Sequence, residues 1–178
     1  MNRPATLIAI AAIAATAGCA SQELAAINAP ASSTPQSCSA QLAVWRNDGN
    51  DDAMQAVVDG LSAVQDATAA WAQDLTDGAD TSSDASQIDS AAGSLQSDAQ
   101  SAQGNLPPSC VPGMRAADSA FLADAVKVAG KAEAGTRQAD DGKNEAAVKD
   151  FLSAKGETGT ANKKFDSAVS DAQEYGGS

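Results

Sequence analysis

Few residue types in this chain are equipped for chemistry. No histidine occurs in its 178 residues. That removes Ser-His and Cys-His nucleophile pairs, imidazole metal ligands and the usual general base. Three thiols remain, Cys19, Cys38 and Cys110, together with 23 carboxylates against 11 basic side chains, a formal net charge of −12. Phosphate-cradling loops of the form GxGxxG or GxxxxGKS/T do not occur. Paired carboxylates can hydrolyse glycosides. Here, however, the acids fall on expected exposed helix faces or turns, and aromatics at 3% leave no evident platform for a sugar. The acids read as a solvated face, and the chain as non-enzymatic.

Two groups of acids have spacing that bears on cations. Asp48-x-Asn50-x-Asp52, with Asp59 at the twelfth position, partly matches a calcium loop. Ala53 stands where the loop needs Gly, Asp59 where it uses Glu, and Ala53 to Asp59 reads as helix. Asp74, Asp77, Asp80 and Asp84 crowd the next turn. Together these define a candidate site for weakly held calcium, in the millimolar range; a capped helix start and a polar turn are the simpler reading. Of the two tryptophans, Trp71 lies on a core seam. Trp45, on a short helix, is the better candidate of the two for a partner contact, although a core position is the favoured reading for it as well.

The thiol of Cys19 has the most specific context. Arg3 and the amino terminus precede an apolar run, Ala5 to Ala15, of signal-peptide length and too short to span a bilayer. Thr16-Ala17-Gly18-Cys19 follows. This resembles the lipobox of bacterial lipoproteins, with Thr16 where that family most often has Leu. The resemblance implies lipid on the Cys19 thiol, cleavage before it, and anchoring on the outer face of the cell membrane; two acyl chains suffice for stable attachment. No other cofactor is implied. Ordinary secretion, with cleavage after Ala17, is the alternative. If Cys19 is acylated, Cys38 and Cys110 remain as a pair in an oxidising compartment. Such a bridge closes a loop worth roughly 4 kcal/mol in the chain-entropy model. Residues 20–36, with Pro30 and Pro35, then form a tether spanning roughly 20–25 Å.

These features set the domain organisation: residues 1–18 as signal peptide, 19–36 as acylated Cys and tether, 37–176 as a helical domain. Ser37 is placed to cap a short helix, Cys38 to Arg46, and Asp51 or Asp52 to cap the next. In the second helix, Asp52 to Asp77, Met54, Val57, Leu61, Val64, Thr68, Trp71 and Leu75 recur in steps of three and four. The third, Ser83 to Asn105, presents Ile88, Ala91, Leu95, Ala99 and Ala102, with Leu106 beyond. The fourth, Pro112 to Asp140, presents Phe121, Ala125, Val128, Ala132 and Ala139. The fifth, Asn144 to Glu174, presents Ala147, Phe151, Ala154, Thr158, Ala161, Phe165, Ala168 and Ala172. Four long helices on short loops predict an all-α, antiparallel up-down-up-down bundle with a short N-terminal helix at its foot, stapled by one disulfide. Gly130 is expected opposite Gly156 at a close approach of two backbones.

From Asn47 to Cys110 there are eleven Asp and no Lys or Arg. Nucleic-acid binding, which needs a basic patch, is therefore disfavoured. At Ser37-Cys38, Leu42, Trp45, Gly49 and Pro107-Pro108-Ser109-Cys110-Val111-Pro112-Gly113 the chain looks like small Ala-rich lipoproteins of actinobacteria, a likeness covering roughly residues 1–140. It implies an anchored helical domain outside the cytoplasmic membrane and nothing about a ligand; besides the membrane, the expected partner is an envelope protein or ligand that the sequence does not name. Substituting Cys19→Ser is expected to move the protein from the membrane fraction to the medium, followed by fractionation and intact mass; retention in the membrane would refute the acyl anchor.

Overall fold

The computed structural model describes residues 37–176, with side chains through Gln173. The proposed leader, Cys19 and the tether lie outside the described residues. Those residues are helical, with no strand among them. The helices are α1 (Cys38–Trp45), α2 (Asp51–Asp77), α3 (Ser82–Gln103), α4 (Pro112–Asp140) and α5 (Asn144–Gly176). A single π-helical turn, Arg46–Asn50, joins α1 to α2.

Local chemistry explains the boundaries. The Ser37 hydroxyl accepts from the Ala40 amide at 3.3 Å and starts α1. Between α1 and α2 no acid caps, contrary to the expectation for Asp51 or Asp52. The chain kinks inside the π turn instead. Gly49 takes φ of 81° there, and Asn50 Nδ2 donates to the Trp45 carbonyl at 2.6 Å. Gly78 ends α2 in the left-handed region, with the Ala79 amide reaching back to Asp74 O at 2.9 Å. Gly142 repeats this after α4, where the Lys143 amide reaches Gln138 O at 2.8 Å. Pro112 opens α4 at a position that needs no amide hydrogen.

The four long helices pack around one core. Each meets the next in sequence, α4 on α5 most extensively, whereas α2 meets α5 only lightly. The seams of α2 and α5 fall inward as expected: Val57, Leu61, Val64 and Trp71 are buried on one, Ala147, Phe151, Ala154, Thr158, Ala161, Ala168 and Ala172 on the other. On α3 the buried residue is Ala92, and Ala91 is only partly covered. Both are alanine, so hydrophobicity alone does not choose between them. Cys38 and Cys110 lie at disulfide-bonding distance, Cα atoms 5.7 Å apart, 72 residues apart in sequence. Nearby, the Trp45 indole donates to Asn105 O at 2.6 Å and ties α1 to the end of α3.

The close helix approach occurs elsewhere than expected. Gly130 and Gly156 are both exposed, with nothing within 4 Å of where a Cβ would stand. Gly135 is the buried one, and its missing Cβ would overlap the ring of Phe151. Making room for a Cβ would displace that ring from its edge-on contact with Trp71, with centroids 4.9 Å apart. Opposite outcomes are therefore expected from the same substitution. Gly135→Ala should destabilise by about 1–3 kcal/mol through overpacking, and Gly130→Ala should stabilise by about 1 kcal/mol through helix propensity. Denaturant unfolding of both variants checks the pair.

Candidate functional site

Because α2 and α5 touch only lightly, a cavity of about 340 Å³ opens between them. That is near the lower end for small-molecule sites. Trp71 from α2 and Phe151 from α5 form its aromatic wall, with Val64 and Ala154 beside them. Val148 and Leu152 stand at the rim, 37% and 64% exposed, among the few large apolar side chains left open to water. Gln65, Asp66 and Lys155 supply the polar edge.

Hydrogen bonding within the cavity leaves one group over. The hydroxyls of Thr68 and Thr158 donate to the carbonyls of Val64 and Ala154 in their own helices, at 2.6 and 3.0 Å. Trp71 is fully buried, yet its Nε1–H has no acceptor. A buried donor left unmatched costs about 1–3 kcal/mol.

The sequence-predicted cation residues sit apart from this cavity and serve local structure. Asp48 is exposed within the π turn, while Asp52 and Asp59 ride the exposed side of α2. Asp59 accepts from Gln55 at 2.9 Å, Asp77 from Gln73 at 2.8 Å, and Asp80 from the Ser82 amide at 3.0 Å. That last bond holds the Asp80 carboxyl below its ordinary range. Among the described residues no three Cys, Asp or Glu side chains converge as a metal would require. Trp45 is 9% exposed and spends its indole N–H on Asn105; the open apolar residue of α1 is Val44, 50% exposed. No described helix is long and apolar enough to cross a membrane.

Not every acid is solvated, which corrects the sequence expectation. Asp84, Asp118 and Asp124 are buried, at 9%, 2% and 2% exposed. Burial pushes Asp84 up, and the neighbouring carboxyls of Asp74 and Asp80 push it further. Burial raises Asp124 too, but Lys127 at 2.7 Å and Lys164 of α5 outweigh it and hold that carboxyl below the usual range. Asp118 has no such partner. Burial, then the charge of Asp51, push it up to about 7, and its Oδ2 has no hydrogen bond. Steps of three and four back from Ala125 and Phe121 reach Asp118 and then Met114, so the spacing did put Asp118 on the buried seam. Asp124 lies one residue before Ala125, off that seam, and spacing gave no warning of it.

Comparison with known protein families, with characterised proteins and with solved structures found no match.

Asp118 should make stability depend on pH. Its folded pKa, about 7, lies above the ordinary 3.8. The native state therefore holds the proton more tightly than the unfolded chain does. That stabilisation is complete below about pH 4 and is lost as pH rises through about 7, on the order of 2–4 kcal/mol. Melting temperature should fall between about pH 5 and about pH 8. In Asp118→Asn the fall should flatten, with the variant the more stable form at the alkaline end.

Proposed function

We propose that this chain is a lipid-anchored, extracytoplasmic helical module that works by binding rather than by catalysis. Its ligand is a small apolar molecule bearing an acceptor oxygen, held between α2 and α5. The observation that carries the ligand is the Trp71 indole N–H, fully buried on the cavity wall without an acceptor. The absence of histidine from the sequence and the Thr16–Cys19 leader motif support the rest. Residues 20–36 would let the domain stand off the bilayer, with the cavity open to the envelope space.

The helices are taken to run up-down-up-down, with α1 at the foot. Three contacts between α4 and α5 support this. Phe121 meets Phe165, Asp124 meets Lys164, and Gly135 meets Phe151, so positions advance on one helix as they recede on the other. Gly60 of α2 against Leu95 of α3, with Cys38 against Cys110 at one end, fits the same order.

Calorimetry with medium-chain methyl esters and alkanes of equal length tests the ligand class. The ester should bind the protein about 5–10-fold more tightly than the alkane, the contribution of one hydrogen bond near 1 kcal/mol. Trp71→Phe keeps a ring and removes the donor. It should abolish that advantage and leave the alkane affinity unchanged. An ester that binds Trp71→Phe and the parent protein equally well would rule out the indole as the recognition group.

A further inference from the structure

A second cavity, of about 280 Å³, lies where α1, α2, α4 and α5 meet. Trp45, Met54, Met114 and Phe165 give it apolar walls, and Val169, 41% exposed, stands on its lining. Asp118 also lines it, 2% exposed, with Oδ2 unmatched. A buried carboxylate without a cation is costly. The same helix shows the usual remedy six residues later, where Asp124 takes both Lys127 and Lys164. Asp118 has the same burial, and no lysine lines its cavity.

The other charges at this cavity do not supply the missing partner. Arg46 lies on the wall, but its Nε is directed at Asp51, 3.8 Å away, too long for a hydrogen bond. Asp51 itself adds negative charge. From α5, Asp171 lies over Gly113 of α4, and α3 contributes no lining residue. Two carboxylates against one guanidinium leave an excess of negative charge facing an apolar, aromatic space. Aromatic faces and methionine sulfurs suit an organic cation better than a hydrated metal ion.

We propose that this cavity is a second binding site, for a small apolar ammonium compound whose cationic head sits on Asp118 and whose body lies against Met54, Met114 and Phe165. This is independent of the Trp71 cavity and of its ligand. Binding requires the ionised carboxylate, so it displaces a proton from Asp118 wherever that group is still protonated.

Phenethylammonium chloride is the probe and 2-phenylethanol its neutral counterpart, titrated calorimetrically into the full chain at about pH 6 and about pH 8. With Asp118 half-titrated near pH 7, the ammonium should bind about tenfold more tightly at the higher pH. At the lower pH, heats in two buffers of different ionisation enthalpy should report close to one proton released per ligand. The alcohol should bind more weakly at both pH values, without proton release. Asp118→Asn should lose the pH dependence and most of the affinity at about pH 8. A purely structural Asp118 would move neither proton release nor the gap between amine and alcohol. Equal binding of amine and alcohol, amine binding independent of pH, undiminished binding to Asp118→Asn, or no heat at millimolar amine would each overturn the site. The pH dependence, the proton release and the gap between amine and alcohol are all read on the unaltered protein, so they stand even if the variant folds poorly.

Discussion

Between the Phe121–Phe165 pair and the Phe151 ring, the buried faces of α4 and α5 are mostly alanine and glycine, side chains too small to hold two helices apart, and the position of α5 follows from that. Ala125, Ala129, Ala132 and Gly135 on one side are buried with Ala147, Ala154, Ala161 and Ala168 on the other. Each contributes little transfer free energy, since burial stabilises by about 25 cal/mol per Å². What small side chains give instead is close approach, and α4 meets α5 more extensively than any other pair of helices, so dispersion contacts accumulate. At Gly135 the approach is tight enough that the Phe151 ring takes the place of a Cβ. A helix drawn this close to α4 meets α2 only lightly. The gap left between α2 and α5 is the Trp71 cavity. A thin core and an open cavity are two results of one composition.

The disulfide end is organised differently. There α1 is held by Cys38 to Cys110 and by the Trp45 indole on Asn105 O, two attachments to the segment that follows α3. Arg115 adds a third, donating to the Pro107 carbonyl. The segment from Gly104 to Val111 has no helix of its own to satisfy its carbonyls, so side chains from α1 and α4 do that work. Large side chains, Trp45, Met54, Met114 and Phe165, fill this end in place of alanine, and a cavity persists among them.

Helix existence and most of the buried seams were legible in the sequence because apolar residues recur in steps of three and four on α2 and α5, with nothing else to explain them. The turns after α2 and α4 fall at Gly78 and Gly142, and glycine is the residue that adopts their positive φ freely. The choice between Ala91 and Ala92 was not legible, because the two differ only in which way α3 is rotated, and Gly60 of α2, close against Leu95, fixes that from outside the helix. Nor were the glycines. Gly130 and Gly135 look alike in sequence, and only the partner across the seam, solvent for one and Phe151 for the other, separates them. The Trp71 cavity was invisible for a related reason. A seam residue and a cavity-lining residue share the same helical spacing, and the unmatched indole N–H is a fact about its neighbours.

The three buried carboxylates extend the point to charge. Asp118 and Asp124 lie on one helix at equal burial, and their titration diverges because they face different neighbours. Asp124 looks toward the half of the chain where lysines are interleaved with acids, and Lys164 reaches it across the α4–α5 seam. Asp118 looks toward the start of α2, in a stretch from Asn47 to Cys110 that contains eleven aspartates and no basic residue. Its near neighbour there is Asp51, whose own guanidinium partner, Arg46, lies just outside that stretch. The asymmetry of charge along the sequence thus becomes an asymmetry inside the fold: one internal acid is neutralised by the protein itself, and the other stays without a cation in a cavity large enough to admit one.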